Sequence, residues 1–563
     1  GRRRSGATQA MLLLASFASL AGFLFGYDLA LVGGAIDLIQ EDLALSDWNI
    51  ELVVGGAKIG AVFGTFLGGG LMHRLGRRKA IALSAGFFGA GPLLMAFAPG
   101  LGLLVLGRLL IGLGIGATAV VVPAYLGEVS PAASRGFIVE IYEVLLTVGM
   151  IAASFADVLL AKAPYNWRWM VGVPCVPGLL LGLAPLLLVE SPRWLVSTGD
   201  LDGALDAIGR VKASNTGIKA MGIGQLRDEE TVAEIEQELL EIWDSVEKSK
   251  AAMAEVIAGY VADRREARPR AVELSPVYRG GDGARSSGNL GAWGGQGSSR
   301  GSLAPPAAEG AAGGEGAVPW FLHAKAWFWE LVRGQESRAL GIALVLAVVN
   351  QASASTSIIN YGPTVLRGMG VEREASKIVS AALGFTKLVG VVVSMFVVDG
   401  RAGRRRLLVW GSAGMAAGMV AMTASELARN VAGVVFSQNF FLLAFSVSWA
   451  GVFWVLMSEF FSMRVKGAAQ SLVTAVMFAG GALADLVFLL LHRRLGSFSY
   501  LVFGGVAGFG ALFVFLFLPE TKGKPLSEVQ RLLAAPEFAF RAAPAAGEEL
   551  RGLTHGAGPP SEA

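Results

Sequence analysis

The chain has 563 residues, of which 53% are hydrophobic and 16% charged, with a formal net charge of +3. A mean hydropathy of +0.56 lies outside the range of water-soluble domains, and a charge so near balance gives no footing for nucleic acid. One cysteine, Cys175, excludes an intramolecular disulfide.

Apolar runs of roughly 17 to 25 residues can cross about 30 Å of hydrocarbon. Six fall near 11–34, 52–72, 80–98, 101–122, 138–160 and 169–189, and six more near 339–361, 376–398, 407–425, 432–457, 467–491 and 499–518. In lipid each must satisfy its own backbone hydrogen bonds, so each is expected to be a helix. A basic stretch follows span 2 (GLMHRLGRR, 70–78) and another follows span 8 (DGRAGRR, 399–405). This repetition points to a duplicated, all-α membrane protein: twelve transmembrane helices in two pseudo-symmetric six-helix halves, 11–189 and 339–518. A short N-terminal segment (1–10), a long central loop (190–338) and a C-terminal tail (519–563) complete the expected organisation.

Arg74, Arg77, Arg78 and Lys79 follow span 2, and Arg135 follows span 4. Arg401 and Arg404–Arg406 follow span 8, and Arg464 and Lys466 follow span 10. These charges predict cytoplasmic even-numbered loops and cytoplasmic termini. The first outer loop is acidic (Asp37, Glu41, Asp42, Asp47, Glu51), while His492, Arg493 and Arg494 on the outer side are an exception the rule does not explain. Within the central loop, 226–267 is charged, with Val232, Ile235, Leu239, Ile242 and Val246 spaced as one helical stripe. Residues 280–318 are rich in Gly, Ser, Ala and Pro and are expected to be a disordered linker.

Six segments carry a family signature: GFLFGYDLALVGGA (22–35), GRLLIGLGIG (107–116), PAYLGEVSPAASRG (123–136), VESPRWL (189–195), MSEFFSMRVKG (457–467) and LPETKGKPLSE (518–528). On these the chain resembles the sugar porter family of the major facilitator superfamily. Glu143 and the span 7 run NQASASTSIINYGP are most similar to plant and algal vacuolar or plastidic glucose carriers, and less so to polyol carriers. The resemblance implies a monomeric carrier of a monosaccharide, a hexose first of all, working by alternating access as a proton symporter without cofactor. It implies a plasma, vacuolar or plastid membrane. An uncoupled sugar or polyol facilitator and a non-transporting sugar sensor share the fold and stay open. No phosphate-binding loop or metal-ligand spacing suggests an enzyme or a metal site.

Ionised groups inside a span cost about 2.5 to 3.5 kcal/mol, so they are expected to face a cavity or a partner. By resemblance Asp28 in span 1 and Arg108 in span 4 couple protons, protonation of Asp28 releasing Arg108; a static ion pair is the alternative. Hydroxyl-rich ligands call for amides, hydroxyls and an aromatic face. Asn350, Gln351, Thr356 and Asn360 of span 7, Glu143 of span 5 and Trp454 of span 10 are the substrate candidates, against helix-to-helix polar contacts and, for Trp454, an interfacial anchor. Glu140 shares a helix face with Glu143. Lys387 in span 8 and Asp485 in span 11 are candidates for a mutual pair. Glu128, Arg135, Glu190, Arg193, Glu459, Arg464 and Lys466 are expected, by resemblance, to bridge Arg77, Arg78, Asp399, Arg404 and Arg405 in a cytoplasmic salt-bridge gate. Departures from the family pattern are His73 for an acid, Gly451 for proline, Ala354 for glycine, Ser462 for proline, Lys466 for arginine and Met477 near a polar site.

Overall fold

The computed structural model describes residues 9–160, 162–213, 235, 237–244, 246–247, 331–332, 336–400 and 402–534. Among these, all regular structure is helical. Ten stretches are long and apolar enough to span a membrane; that over Lys466–Phe517 contains two helices, and Ala382–Val397 adds a shorter apolar one. Twelve spans in two halves result.

Span 1 is Gln9–Ala18 continued by Leu20–Asp42; spans 2 to 5 are Asp47–Leu75, Arg77–Ala96, Leu101–Val129 and Arg135–Leu160. Span 6 is broken into Asn166–Gly172, Cys175–Leu181 and Ala184–Leu187, with Pro174 capping the second piece and a proline in the first turn of the third. In the second half, span 8 is Arg373–Val397, span 9 Gly403–Leu427, span 11 Lys466–Leu495 and span 12 Ser499–Phe517. Several helices outrun the apolar runs that predict them. Span 1 continues to Asp42, so Asp37 and Glu41 lie on a helix end and not in a loop. Span 4 runs through Pro123 to Val129, because a polar tail emerging from lipid keeps its backbone bonds by staying helical.

In the second half two spans are interrupted at depth. Span 7 is Ser337–Ala352 followed by Ser355–Gly368, with Ala354 at the junction in the left-handed region at φ 58°. A non-glycine residue there is strained by about 1 to 3 kcal/mol and persists only where its surroundings hold it. Span 10 is Val431–Phe445, a π turn over Ser446–Ala450, and Gly451–Phe460; such turns recur at functional sites. Broken helices at mid-membrane are tolerated where they line a cavity or are buried in protein.

Within the first half, spans 2 and 4 approach through small residues: a Cβ added at Gly64 would collide with the Leu113 carbonyl oxygen. The halves meet along two antiparallel seams, span 2 against span 11 and span 5 against span 8, with span 10 packed on spans 4 and 5. After span 6 come Pro192–Thr198 and Leu201–Ala213. Val196, Ala204 and Ile208 form a small separate core with Ile235, Ile242 and Val246 of the expected stripe. Val232, the linker at 280–318, residues 1–8 and the tail beyond 534 lie outside the described residues. The tail helix Leu526–Ala534 buries Leu526, Val529 and Leu533.

Candidate functional site

At the basic end of the bundle, two carboxylates each collect cations from both halves. Glu128, buried, takes Arg77 Nε at 2.9 Å from its own half and Lys466 Nζ at 3.1 Å from the other. Glu459, buried, takes Arg404 Nη2 at 3.2 Å from its own half and Arg135 Nη1 at 3.6 Å from the other. The two clusters are pseudo-symmetric images. Asp399 adds to the second, pairing with Arg404 at 2.9 Å and accepting from the Phe137 backbone N–H at 2.7 Å. Arg135 also donates to the carbonyls of Gly127 and Lys524.

Glu190 and Glu520 act on backbone and not on guanidinium groups. Glu190 Oε1 accepts from the backbone N–H of Arg77 at 2.8 Å, and its Oε2 from that of Arg78 at 3.2 Å. Glu520 accepts from Arg404 N at 2.9 Å and Arg405 N at 3.1 Å. Each acid caps a helix N-terminus, where free N–H groups and the helix dipole favour an anion. This corrects the expectation for Arg78 and Arg405: both contribute backbone, and the Arg405 side chain turns to the Phe515 carbonyl and ring. Arg193 is half-buried; desolvation pushes it down to about 10, the Arg135 cation adding to the effect and Glu128 opposing it. His73 is exposed, and its carbonyl accepts from Trp194 Nε1 at 3.1 Å.

Halfway along the seam between spans 5 and 8 lies a third cross-half contact. Glu143 receives Lys387 Nζ at 3.0 Å and Trp454 Nε1 at 3.2 Å, both from the second half. Lys387 and Glu143 are buried, with side-chain exposures of 8% and 5%. The Trp454 indole is edge-on to Tyr142, ring centroids 5.6 Å apart. One turn nearer the basic end, Ser394 Oγ donates to Glu140 Oε1 at 2.6 Å. A Cβ at Gly451 would lie 2.6 Å from the Glu140 carboxyl carbon, so the buried acid fills the space a proline ring would need.

Asp28 and Arg108 are joined by a buried ion pair between spans 1 and 4, and Arg108 Nε also donates to the Val53 carbonyl at 3.2 Å. Beside the break in span 7, Asn350 Nδ2 donates to the Trp449 carbonyl at 3.2 Å, and Asn350 Oδ1 accepts from Gln351 Nε2 at 3.1 Å. A Cβ at Gly481 of span 11 would lie 2.7 Å from Gln351 Oε1. Thr356 is half-buried and Asn360 exposed, both on the half-helix after the break.

The family described as Sugar (and other) transporter matches residues 14–266 and 322–533. The chain belongs to this family. Similar proteins include Glucose transporter GlcP of Staphylococcus epidermidis, 26% identical over 91% of this chain and 95% of that protein. Putative polyol transporter 1 of Arabidopsis thaliana is 29% identical over 92% of this chain and 90% of that protein. Among solved structures, the proton:xylose symporter XylE bound to 6-bromo-6-deoxy-D-glucose superposes with a TM-score of 0.71 at 21% identity, covering 93% of this chain and 100% of that one. An inward-open XylE from E. coli superposes less well, at 0.59 over 93% and 99%. These matches share the major facilitator fold. The protein is therefore a multi-pass membrane transporter of the sugar transporter family and not an enzyme.

In this transporter Glu143 and Trp454 come together, Asn350 and Gln351 bond to each other, and Asp28 meets Arg108. Thr356 and Asn360 have no hydrogen bond to the Glu143 cluster among the described residues. Lys387 and Asp485 do not pair with each other, because they lie on different seams: Lys387 faces Glu143 and Asp485 faces Lys58. Lys58 and Glu520 went unnoticed in the sequence. The pairing of Gly76 with Glu190 and of Gly403 with Glu520 across the duplication would have been the signal for the second.

Proposed function

We propose that this transporter carries a monosaccharide, a hexose in the first instance, by alternating access coupled to protons. The observation that carries the proton coupling is the buried Asp28–Arg108 pair within the first half. A proton taken up by Asp28 from the outer solution removes the charge that holds Arg108, frees it and changes how spans 1 and 4 pack against the seams. Substrate binding falls to Glu143 and Trp454, which touch across the halves, and to Asn350 and Gln351, which bond to each other beside the break in span 7, with Thr356 and Asn360 joining as the outer half-helix of span 7 moves.

The basic end faces the cytoplasm in this reading, with both termini, in a plasma, vacuolar or plastid membrane. Its charge clusters are the cytoplasmic gate, and the carrier works as a monomer, each cluster joining the two halves of a single chain. A polyol is the second substrate class, favoured by the similarity to Putative polyol transporter 1 and by the Glu143–Lys387 pair, whose opposite charges can bracket the hydroxyls of a flexible chain.

Uptake into proteoliposomes, across a panel of hexoses, pentoses and polyols with and without a pH gradient, tests both substrate and coupling. Asp28→Asn is expected to abolish accumulation driven by the gradient while leaving equilibrative exchange. Unchanged accumulation would remove Asp28 as the coupling group.

A further inference from the structure

A polar contact that the gate and the substrate site leave unused joins the two halves far from the basic end. Lys58 Nζ of span 2 lies 2.7 Å from Asp485 Oδ2 of span 11. The other oxygen, Asp485 Oδ1, accepts from Ser357 Oγ of the outer half-helix of span 7 at 2.6 Å. One carboxylate thus holds three elements, two of them in one half and one in the other.

Its depth follows from helix geometry. Lys58 lies 17 residues before Leu75, the end of span 2, and Asp485 lies 19 after Lys466, the start of span 11, about 26 and 28 Å along the two helices at 1.5 Å per residue. Across a hydrocarbon core of about 30 Å, that places the contact toward the opposite membrane face. The same seam is closed nearer the basic end, where Ser471 Oγ donates to the Thr65 carbonyl at 2.7 Å. Spans 2 and 11 therefore stay together along their length, and Phe25 of span 1 meets Phe478 of span 11 edge-on at 5.7 Å.

We propose that Asp485, with Lys58 and Ser357, is the latch of the outer gate, the counterpart of the charge clusters at the basic end. This rests on the alternating-access reading given above. Cross-half ion pairs are formed at both ends, and opening to the outer side requires Lys58 to leave Asp485. Ser357 supplies the link to substrate: it follows Thr356 on the half-helix beyond the strained Ala354, so movement of that half-helix draws its hydroxyl away from Asp485. The carboxylate then loses one of its two partners, and the remaining ion pair is weakened at the moment the site is vacated or filled.

Double electron–electron resonance tests this without any substrate. Spin labels go on Trp48→Cys and Arg494→Cys, at the exposed outer ends of spans 2 and 11, in a Cys175→Ser background reconstituted in nanodiscs. Asp485→Asn and Lys58→Met are each expected to raise the ratio of long to short distances by up to about fivefold, the effect of one partly exposed pair. The charge swap Lys58→Asp with Asp485→Lys is expected to bring the ratio back. Unchanged distances in both single variants, or a lengthening that the swap fails to reverse, would overturn the latch. Should Asp485→Asn fail to fold, Lys58→Met and Ser357→Ala carry the same measurement. A latch that fails while sugar uptake stands leaves the transport proposal intact, and lengthened distances in a protein that moves no sugar leave the latch intact.

Discussion

At the basic end of the seam, Glu128 and Glu459 each hold cations from both halves with exposures of 0%, whereas at the far end Asp485 meets one lysine whose side chain is 33% exposed. Ions buried that deeply are costly to desolvate, and removing one partner strands the others. A partly exposed pair loses little when it breaks, because water replaces the partner. The two ends thus close by different means: a charge network that opens only as a unit, against a single contact that opens readily. On the alternating-access proposal, the basic end is the one expected to stay shut and the far end the one expected to give way first.

The clusters at the basic end also differ from each other. Arg404 has Asp399 as well as Glu459, while the first half has the exposed His73 in the corresponding stretch, and Glu128 holds Arg77 and Lys466 with a hydrogen bond from Ser191 Oγ at 2.6 Å as its further support. The second cluster adds a cross-half bond through Asp399 and the Phe137 N–H. Closure is therefore stronger on the span 5 to span 8 side.

The largest effect is expected from Glu128→Gln, which strands two buried cations, Arg77 and Lys466, followed by Glu459→Gln, which strands Arg135 while Arg404 keeps Asp399. A loss of about 3 to 5 kcal/mol, read as a fall in the thermal midpoint of the purified protein, would mark the network as dry and cooperative. A loss near that of a surface pair would break the contrast between the two ends. Next comes the middle of the seam. Lys387→Met and Glu143→Gln should each destabilise more than the double variant does, with a coupling of about 0.5 to 3 kcal/mol in a double-mutant cycle, and Glu143→Gln should also change the substrate preference seen in uptake. Additive single effects would show that the two residues act independently. The smallest effect is expected from His73→Asp, which supplies the first half with an acid in the stretch where the second has Asp399. It should strengthen closure of the basic end by about 1 kcal/mol or less, seen as slower maleimide labelling of a cysteine placed at Leu71; faster labelling would reverse the assignment.

Much of the molecule was legible before its structure. The runs at 52–72 and 467–491 could only be helices crossing lipid, and the repeated basic stretches announced both the duplication and the two clusters. Asp28 and Arg108 stood out because ionised side chains are rare in such runs. The partners of Lys387 and Asp485 were not legible, nor was the part played by Lys58. Helical periodicity says which residues share a face, but the face of span 8 that meets span 5 depends on the rotation of two helices separated by more than 200 residues. Gly451 in place of proline made sense only once Glu140 was seen in the space.

The sequence by itself determined the helices, the duplication and the membership of the sugar transporter family, since each follows from what lipid demands of one segment at a time and from motifs that are local. Which buried charge meets which was decided by the tertiary structure alone. The cross-half pairs Lys466 with Glu128, Arg135 with Glu459, Lys387 with Glu143 and Lys58 with Asp485 each join segments far apart in the chain, and only the packing of whole helices against each other brings a cation within 4 Å of its acid.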